Sequence, residues 1–285
     1  MIRPALAALC VALALPAQAQ MPAAQQFGAV GTPTSGRAEA IGFYSRGCAT
    51  GMVRLPESGP TWQAMRLSRN RNWGHPETVK FLQQLSAAAT QVGWRGLYIG
   101  DIAQPRGGPT PSGHASHQTG LDADIWLMPP PSLSLNATER ERLDFAPVTT
   151  GTRVNSRWTP AHHALLRAAA SDPRVDRIFV AAPIKIAMCR GATATDTPWL
   201  QKIRPAAGHD AHAHIRLKCP AGSRFCTPQE PTVAQLSKGG SGCDATLQSW
   251  IEPQDPAPAA PARTHPRQYM LADLPAQCSD VLRAR

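Results

Sequence analysis

Gly113-His114-Ala115-Ser116-His117-Gln118-Thr119-Gly120-Leu121-Asp122-Ala123-Asp124-Ile125-Trp126 places two imidazoles and two carboxylates within eleven positions, 114 to 124. A second stretch belongs with it: His209-Asp210-Ala211-His212-Ala213-His214-Ile215-Arg216-Leu217 places three imidazoles within six positions. The run from His212 to Leu217 alternates polar and apolar, so as a strand it sets His212, His214 and Arg216 on one face and Ala213, Ile215 and Leu217 on the other. Leu121 to Leu127 reads as a second strand, entered from a Gly-rich turn, with Asp122 and Asp124 sharing a face. His117, seven residues before Asp124, sits in the turn and can swing back toward that carboxylate. Neutral imidazole and carboxylate are ligands that zinc accepts, and a catalytic zinc takes three of them and keeps a fourth position for water. The competing reading is a hydrogen-bonded polar turn, which Asp and His near glycine often make.

The pair H-x6-D (His117, Asp124) and H-x-H (His212, His214) resembles the signature of the zinc peptidase group that includes lysostaphin, D-alanyl-D-alanine carboxypeptidases and the Hedgehog signalling domain. With Arg66-Leu67-Ser68-Arg69-Asn70-Arg71-Asn72-Trp73-Gly74-His75-Pro76 upstream and Arg177-Ile178-Phe179-Val180 downstream, the text is similar to one branch, the penicillin-insensitive murein endopeptidases. The likeness runs from about residue 40 to the C-terminus. Each motif alone is weak; the two in order with their flanking words are specific.

The resemblance implies Zn2+ as cofactor, held by His117, Asp124 and His214, with His114 as an auxiliary ligand or part of a second metal site. Proton transfer needs a further group. The H-E-x-x-H motif whose glutamate does this in other metallopeptidases is absent, and no glutamate lies beside either histidine stretch. A histidine is then expected, since its unperturbed pKa is about 6.5. His212, on the same strand face as His214, is the best placed, and the resemblance adds His209 as an oxyanion donor or a partner in proton transfer. Asp122 is expected to orient a neighbour, and Arg216 to meet a substrate carboxylate or pair with Asp122. The three arginines, two asparagines and one histidine of the 66–75 word offer polar groups to a wall-peptide cleft, without singling out which touches substrate.

The activity implied is hydrolysis of the cross-link between D-alanine and meso-diaminopimelate in peptidoglycan. A zinc D,D-carboxypeptidase trimming a terminal D-alanine is the rival enzyme. An envelope protein that binds zinc or wall peptide without catalysis is the rival from another class.

The N-terminus fits export. Met1 to Ala19 carries an early Arg3, an apolar run from Ala5 to Leu15 and the small-residue signal Ala17-Gln18-Ala19, the pattern of a cleavable signal peptide. No later stretch approaches the 18 apolar residues of a membrane span. Residues 20–285 then form a single peptidase domain, expected in the periplasm. Six cysteines remain, Cys48, Cys189, Cys219, Cys226, Cys243 and Cys278. An even count in an oxidising compartment points to three disulfides, with fifteen pairings open to sequence alone. No pair has the C-x2-C spacing of a zinc knuckle. The resemblance implies Cys48 with Cys278, Cys189 with Cys243, and Cys219 with Cys226. A net charge of +10 and a pI near 9.8 suit an anionic polymer. No aromatic-interleaved basic block supports nucleic acid, so peptidoglycan is the expected partner; a homodimer is left open.

The remaining chain supplies the scaffold. Residues 20–40 read as a flexible entry, and Ile41 to Arg54 as turns around the first disulfide. Helices are expected over Thr78–Ala89 and over Ala161–Ala170, the latter opened by Thr159-Pro160. His162 and His163, in its first turn, are expected at the surface or in packing. Short strands are expected at Leu97–Ile102 and Arg177–Val180, a solvated turn at Thr138–Arg142, a short helix from Thr197-Pro198, and an extended Pro-rich loop over 252–266. Short strands delivered by long loops fit an α+β domain. The expected architecture is a small central antiparallel sheet carrying the ligands, flanked by helices and long disulfide-tied loops.

Overall fold

The computed structural model describes residues 21–252 and 264–284; the expected signal peptide, and residues 253–263 of the Pro-rich loop, lie outside the described residues. At the centre is a sheet whose strands, in chain order, are β1 (Ser58–Gly59), β2 (Trp62–Ala64), β3 (Leu97–Ile99), β4 (Asp122–Trp126), β5 (Val175–Val180), β6 (Ile203–Pro205) and β7 (His212–Leu217). Their spatial order is β6-β5-β7-β4-β3-β2-β1. The inner four, β5-β7-β4-β3, pair antiparallel. Outside them β6 runs parallel to β5 and β2 parallel to β3. The expected small antiparallel sheet is thus corrected to a seven-stranded mixed one. Strands of two or three residues, such as β1, β2 and β6, are too short to show a period in sequence, and their pairing is set by tertiary contact.

One register fixes the site. β7 pairs with β4 so that His212 lies opposite Trp126, His214 opposite Asp124, and Arg216 opposite Asp122. Since side chains alternate along a strand, these six share one face. Phe179 of β5 joins them, lying opposite His214 on the other side of β7. The reverse face carries Ala123, Ile125, Ile178, Ala213 and Ile215, all fully buried in the main core. Burying each isoleucine there is worth about 2 kcal/mol, so a one-residue slip would expose the core and bury the charges.

Three helices cover that reverse face: α1 (Pro76–Gln91), α2 (Pro160–Ser171) and α3 (Ala182–Cys189). They contribute Phe81, Leu82 and Leu85, then Leu165, Leu166 and Ala169, then Ile184 and Met188, to the same core. His75 caps α1, its Nδ1 accepting from Glu77 N at 3.2 Å. His162 is a packing residue: buried, with Nε2 donating to Leu127 O at 2.9 Å.

Three further expectations are corrected. Residues 21–40 include a helix, Ala23–Gly28, whose Phe27 is buried with Ile41, Cys48 and Cys278. The 41–54 stretch is a hairpin, Glu39–Phe43 against Arg46–Thr50, rather than loose turns. The 138–142 turn belongs to a short helix, Ala137–Arg142, in which Arg140 is buried and donates to Glu57 O and Leu135 O. Its apparent solvation came from four charged residues in a row, one of which spends its guanidinium on backbone carbonyls. The structure holds one of the fifteen cysteine pairings: Cys48–Cys278, Cys189–Cys243 and Cys219–Cys226.

Candidate metal centre and active site

The approach to β4 is tightly constrained. Gly120 has φ +71, and a Cβ there would stand 2.4 Å from Met52 Sδ and 2.9 Å from His75 N, so only glycine fits. His117 also has a left-handed backbone, φ 65, which costs a non-glycine residue energy and persists only where neighbours over-determine it. Here its N–H donates to Asp122 Oδ2 at 3.0 Å and its ring Nδ1–H to Ile102 O at 2.8 Å. The second bond decides the tautomer: a carbonyl can only accept, so Nδ1 carries the proton and Nε2 presents a lone pair.

His214 is set by the same logic. Its Nε2 lies 2.9 Å from Asp122 Oδ1 and donates to it, so in the neutral ring the lone pair is on Nδ1; burial disfavours the charged ring, but Asp122 and Asp124 raise its pKa, and a cation at Nδ1 would take the place of the second proton. His117 Nε2 and His214 Nδ1 are 3.2 Å apart, and each lies 3.4 Å from Asp124 Oδ1. That oxygen is buried and receives no hydrogen bond among the described residues. With both rings neutral in the tautomers these bonds favour, three electron-pair donors converge, a set that suits a cation at their centre. Tetrahedral zinc bonds of about 2.05 Å would space ligand atoms about 3.3 Å apart. The residues present fit such an ion. Ligand atoms of His114, His117 and Asp124 also lie within 4.8 Å of one another. His114 Nε2, however, faces Asp101 Oδ2 at 3.1 Å and Asp124 Oδ2 at 3.5 Å, so hydrogen bonding to these carboxylates competes with its use as a ligand. The trio containing His214 is the better-matched donor set.

The surrounding charges hold this arrangement. Burial pushes the Asp124 carboxyl up, but His117, His114 and His214 outweigh it and keep it well below the ordinary carboxylate range. Asp122 is likewise depressed despite burial, by Arg216 and His214. Arg216 Nε donates to Asp122 Oδ1 at 2.7 Å, and its guanidinium lies 4.1 Å from the Tyr44 ring centroid. Of the two roles open to Arg216 in sequence, the structure shows the pairing with Asp122.

On one side of the trio stand the two remaining histidines. His212 Nε2 is 4.0 Å from Asp124 Oδ1, and the His209 and His212 ring centroids are 5.0 Å apart. Burial lowers the pKa of His212, and lowers that of His209 to about 4. Both imidazoles are therefore neutral near pH 7. The wall behind them is aromatic: Trp126 lies 5.6 Å from the His212 ring and stacks on Phe145 at 3.7 Å, and Phe179 faces His214 at 5.4 Å.

Asp101, given no role by sequence reasoning, organises the other side. Its buried carboxylate accepts from His114 and from Arg69 at 3.1 Å and from Arg71 at 2.9 Å. The hydrogen bond from His114 and the charges of Arg69 and Arg71 hold its pKa at about 2 against burial. The only signal available was a carboxylate at the end of an apolar strand word, Leu97 to Ile102, and it had no motif partner. All six sequence-derived candidates, His114, His117, Asp124, His209, His212 and His214, fall in one cluster.

Comparison with known proteins places this geometry in context. A family model described as penicillin-insensitive murein endopeptidase matches residues 40–283. Similar proteins, each named penicillin-insensitive murein endopeptidase, include one from Klebsiella pneumoniae subsp. pneumoniae, 40% identical over 95% of both chains. One from Haemophilus influenzae is 41% identical over 82% of both chains. One from Escherichia coli K12 is 39% identical over 95% of both chains.

Proposed function

Since the chain belongs to the penicillin-insensitive murein endopeptidase family, we propose that it hydrolyses the D-alanyl-meso-diaminopimelyl cross-link of peptidoglycan as a zinc-dependent enzyme of the periplasm. His117, Asp124 and His214 would hold the ion. The observation that carries the zinc reading is the convergence of two imidazole nitrogens and an unbonded carboxylate oxygen within 3.4 Å of one another.

When bound there, zinc supplies a water acidified to a pKa of about 7 and a Lewis acid for a peptide carbonyl. The chain's own groups do the rest. Asp122 and Ile102 O fix the two imidazoles so that their lone pairs face inward, a restraint that keeps the site open without ligand rearrangement. His212, neutral and beside Asp124, is positioned to accept the water proton and pass it to the departing amine. His209, adjacent to His212, would share that transfer: its Nδ1–H donates to Ala207 O at 2.7 Å, which leaves Nε2 an acceptor. Trp126, Phe145 and Phe179 shield the histidines from bulk water on that side. A β-lactam acylates a serine nucleophile, so activated-water chemistry gives it nothing to trap.

Metal analysis of the purified protein, paired with digestion of murein sacculi with and without chelator, tests this. The expected result is about one zinc per chain and conversion of cross-linked dimers to monomers, abolished by chelator and restored by Zn2+. Shortened stems with dimers intact would instead identify a carboxypeptidase, and an unchanged muropeptide profile a binding protein.

A further inference from the structure

The Arg66–His75 word is rich in polar groups, and the structure accounts for nearly all of them internally. Arg66 donates to the carbonyls of Glu141 and Leu143, and its guanidinium lies over the Phe145 ring. Asn70 accepts from Trp73 Nε1 and donates to Gly31 O. Arg71 is buried and joins Asp101 to Ser112. Asn72 donates to Leu55 O, and His75 caps α1. Arg69 is the exception: its side chain is 44% exposed, and the only hydrogen bond it makes among the described residues is from Nη1 to Asp101 Oδ2.

Its backbone is nonetheless fixed. Arg69 ends a single 3-10 turn, Leu67–Arg69, bounded by two left-handed residues, Arg66 at φ 57 and Asn70 at φ 50. Ser68 pins the turn, its N and Oγ donating to the Glu141 carboxylate at 2.7 and 2.9 Å. A strained, braced turn that presents one half-exposed guanidinium is a device for placing a charge. At Asp101 itself the charge it places is in excess. Asp101 already receives buried Arg71 and His114, so one carboxylate faces two permanent cations. The relay Arg69, Asp101, His114, Asp124 connects this surplus to the candidate metal centre through successive contacts of 3.1, 3.1 and 3.5 Å.

Resting on the hydrolase reading above, we propose that Arg69 anchors substrate by donating to the free carboxylate on the carbon that bears the scissile amide nitrogen. In the cross-link that carbon carries both the leaving amine and a carboxylate, the anion nearest the bond to be cut. A guanidinium has five donors in a planar fork, of which Asp101 occupies one, so the outer edge is open to a bidentate carboxylate. The leaving group is thereby held by charge on the His114 side while His212 and His209 handle protons on the other.

Two cross-linked muropeptide dimers decide it: one with that carboxylate free, one with it converted to the carboxamide. For the free-acid dimer, Arg69→Ala should raise KM about 10- to 100-fold with a smaller change in kcat, the loss expected for a charge-assisted pair. Arg69→Lys should recover part of it. For the amide dimer, wild type should already be weak and Arg69→Ala should change nothing further. Titration calorimetry of each dimer into the metal-free protein gives the same comparison as Kd, independent of turnover. Zinc content and thermal midpoint should be unaltered in Arg69→Ala. Equal losses on both dimers, or none on either, would overturn the assignment. A wild type that holds no zinc and cuts neither dimer would instead sink the hydrolase reading, while the calorimetric pair still decides Arg69.

Discussion

Asp122 is tied into the site from three directions: it accepts from His214 Nε2, from the His117 backbone N–H and from Arg216. Asp122→Asn keeps the shape but removes the charge that orients the His214 imidazole and holds the His117 backbone. Zinc affinity should fall about 10- to 100-fold, read by competition with a coloured chelator; undiminished affinity would remove Asp122 from that role. His212→Ala separates holding from turnover. Its ring is not among the three converging donors, so zinc content should stay near one per chain while sacculus digestion falls by at least about 100-fold. Loss of the metal instead would make His212 a ligand. At this scale the sequence was informative where residues cluster, as the H-x6-D and H-x-H words do. It was silent on Asp101 and on which arginine of the 66–75 word matters. Those roles depend on a carboxylate far along the chain from its partners His114 and Arg69, and on which guanidiniums the fold consumes internally.

At the scale of elements, the decisive device is D-x-D-x-W laid against H-x-H-x-R in one register. Alternation made both strands legible, because a period of two is visible in five or six residues. The parallel neighbours β2 and β6 were not, since three residues carry no period and the partner is chosen by packing. The turn after α2 offers a test of a contact that periodicity cannot show. Arg174 donates to Asp172 through its backbone N at 2.8 Å, Nε at 2.9 Å and Nη2 at 2.7 Å. Burial is the largest single influence on the Asp172 pKa and raises it, but the Arg174 bonds and charge together with Lys202 outweigh it and hold the pKa below its ordinary value. The folded carboxyl thus ionises more readily than the unfolded one. Its contribution to stability is present in full above the unfolded value and is lost as pH falls through the lowered folded value. Asp172→Asn should cost about 1 kcal/mol at neutral pH, discounted for partial exposure, and the gap from wild type should close as pH drops below about 4. A gap that persists into acid would mean the loss is one of shape rather than charge.

Across the whole molecule the disulfides divide labour by the length of chain they close, 230, 54 and 7 residues for Cys48–Cys278, Cys189–Cys243 and Cys219–Cys226. Restricting the unfolded chain is worth about 5, 4 and 2 kcal/mol respectively in the loop-entropy picture, so double Ala variants should lose stability in that order in denaturant titrations. The longest also bears on the site. Cys48 lies in the hairpin strand that receives the His117 turn: Gly47 N donates to Gln118 Oε1, and Gln118 N to Tyr44 O. Ala49 N donates to Arg106 O, and the Arg106 guanidinium donates to the carbonyls of Val281, Leu282 and Ala284 beside Cys278. The C-terminal helix Gln277–Arg283 therefore clamps the loop that positions the strained His117. Cys189–Cys243 lies at the end of α3, away from that clamp. Removing Cys48–Cys278 should accordingly weaken zinc binding at temperatures where the chain is still folded, whereas removing Cys189–Cys243 should lower the unfolding midpoint with zinc affinity kept. Equal metal affinity in the two variants would show that His117 is held by Asp122 and Ile102 alone, without help from the chain ends.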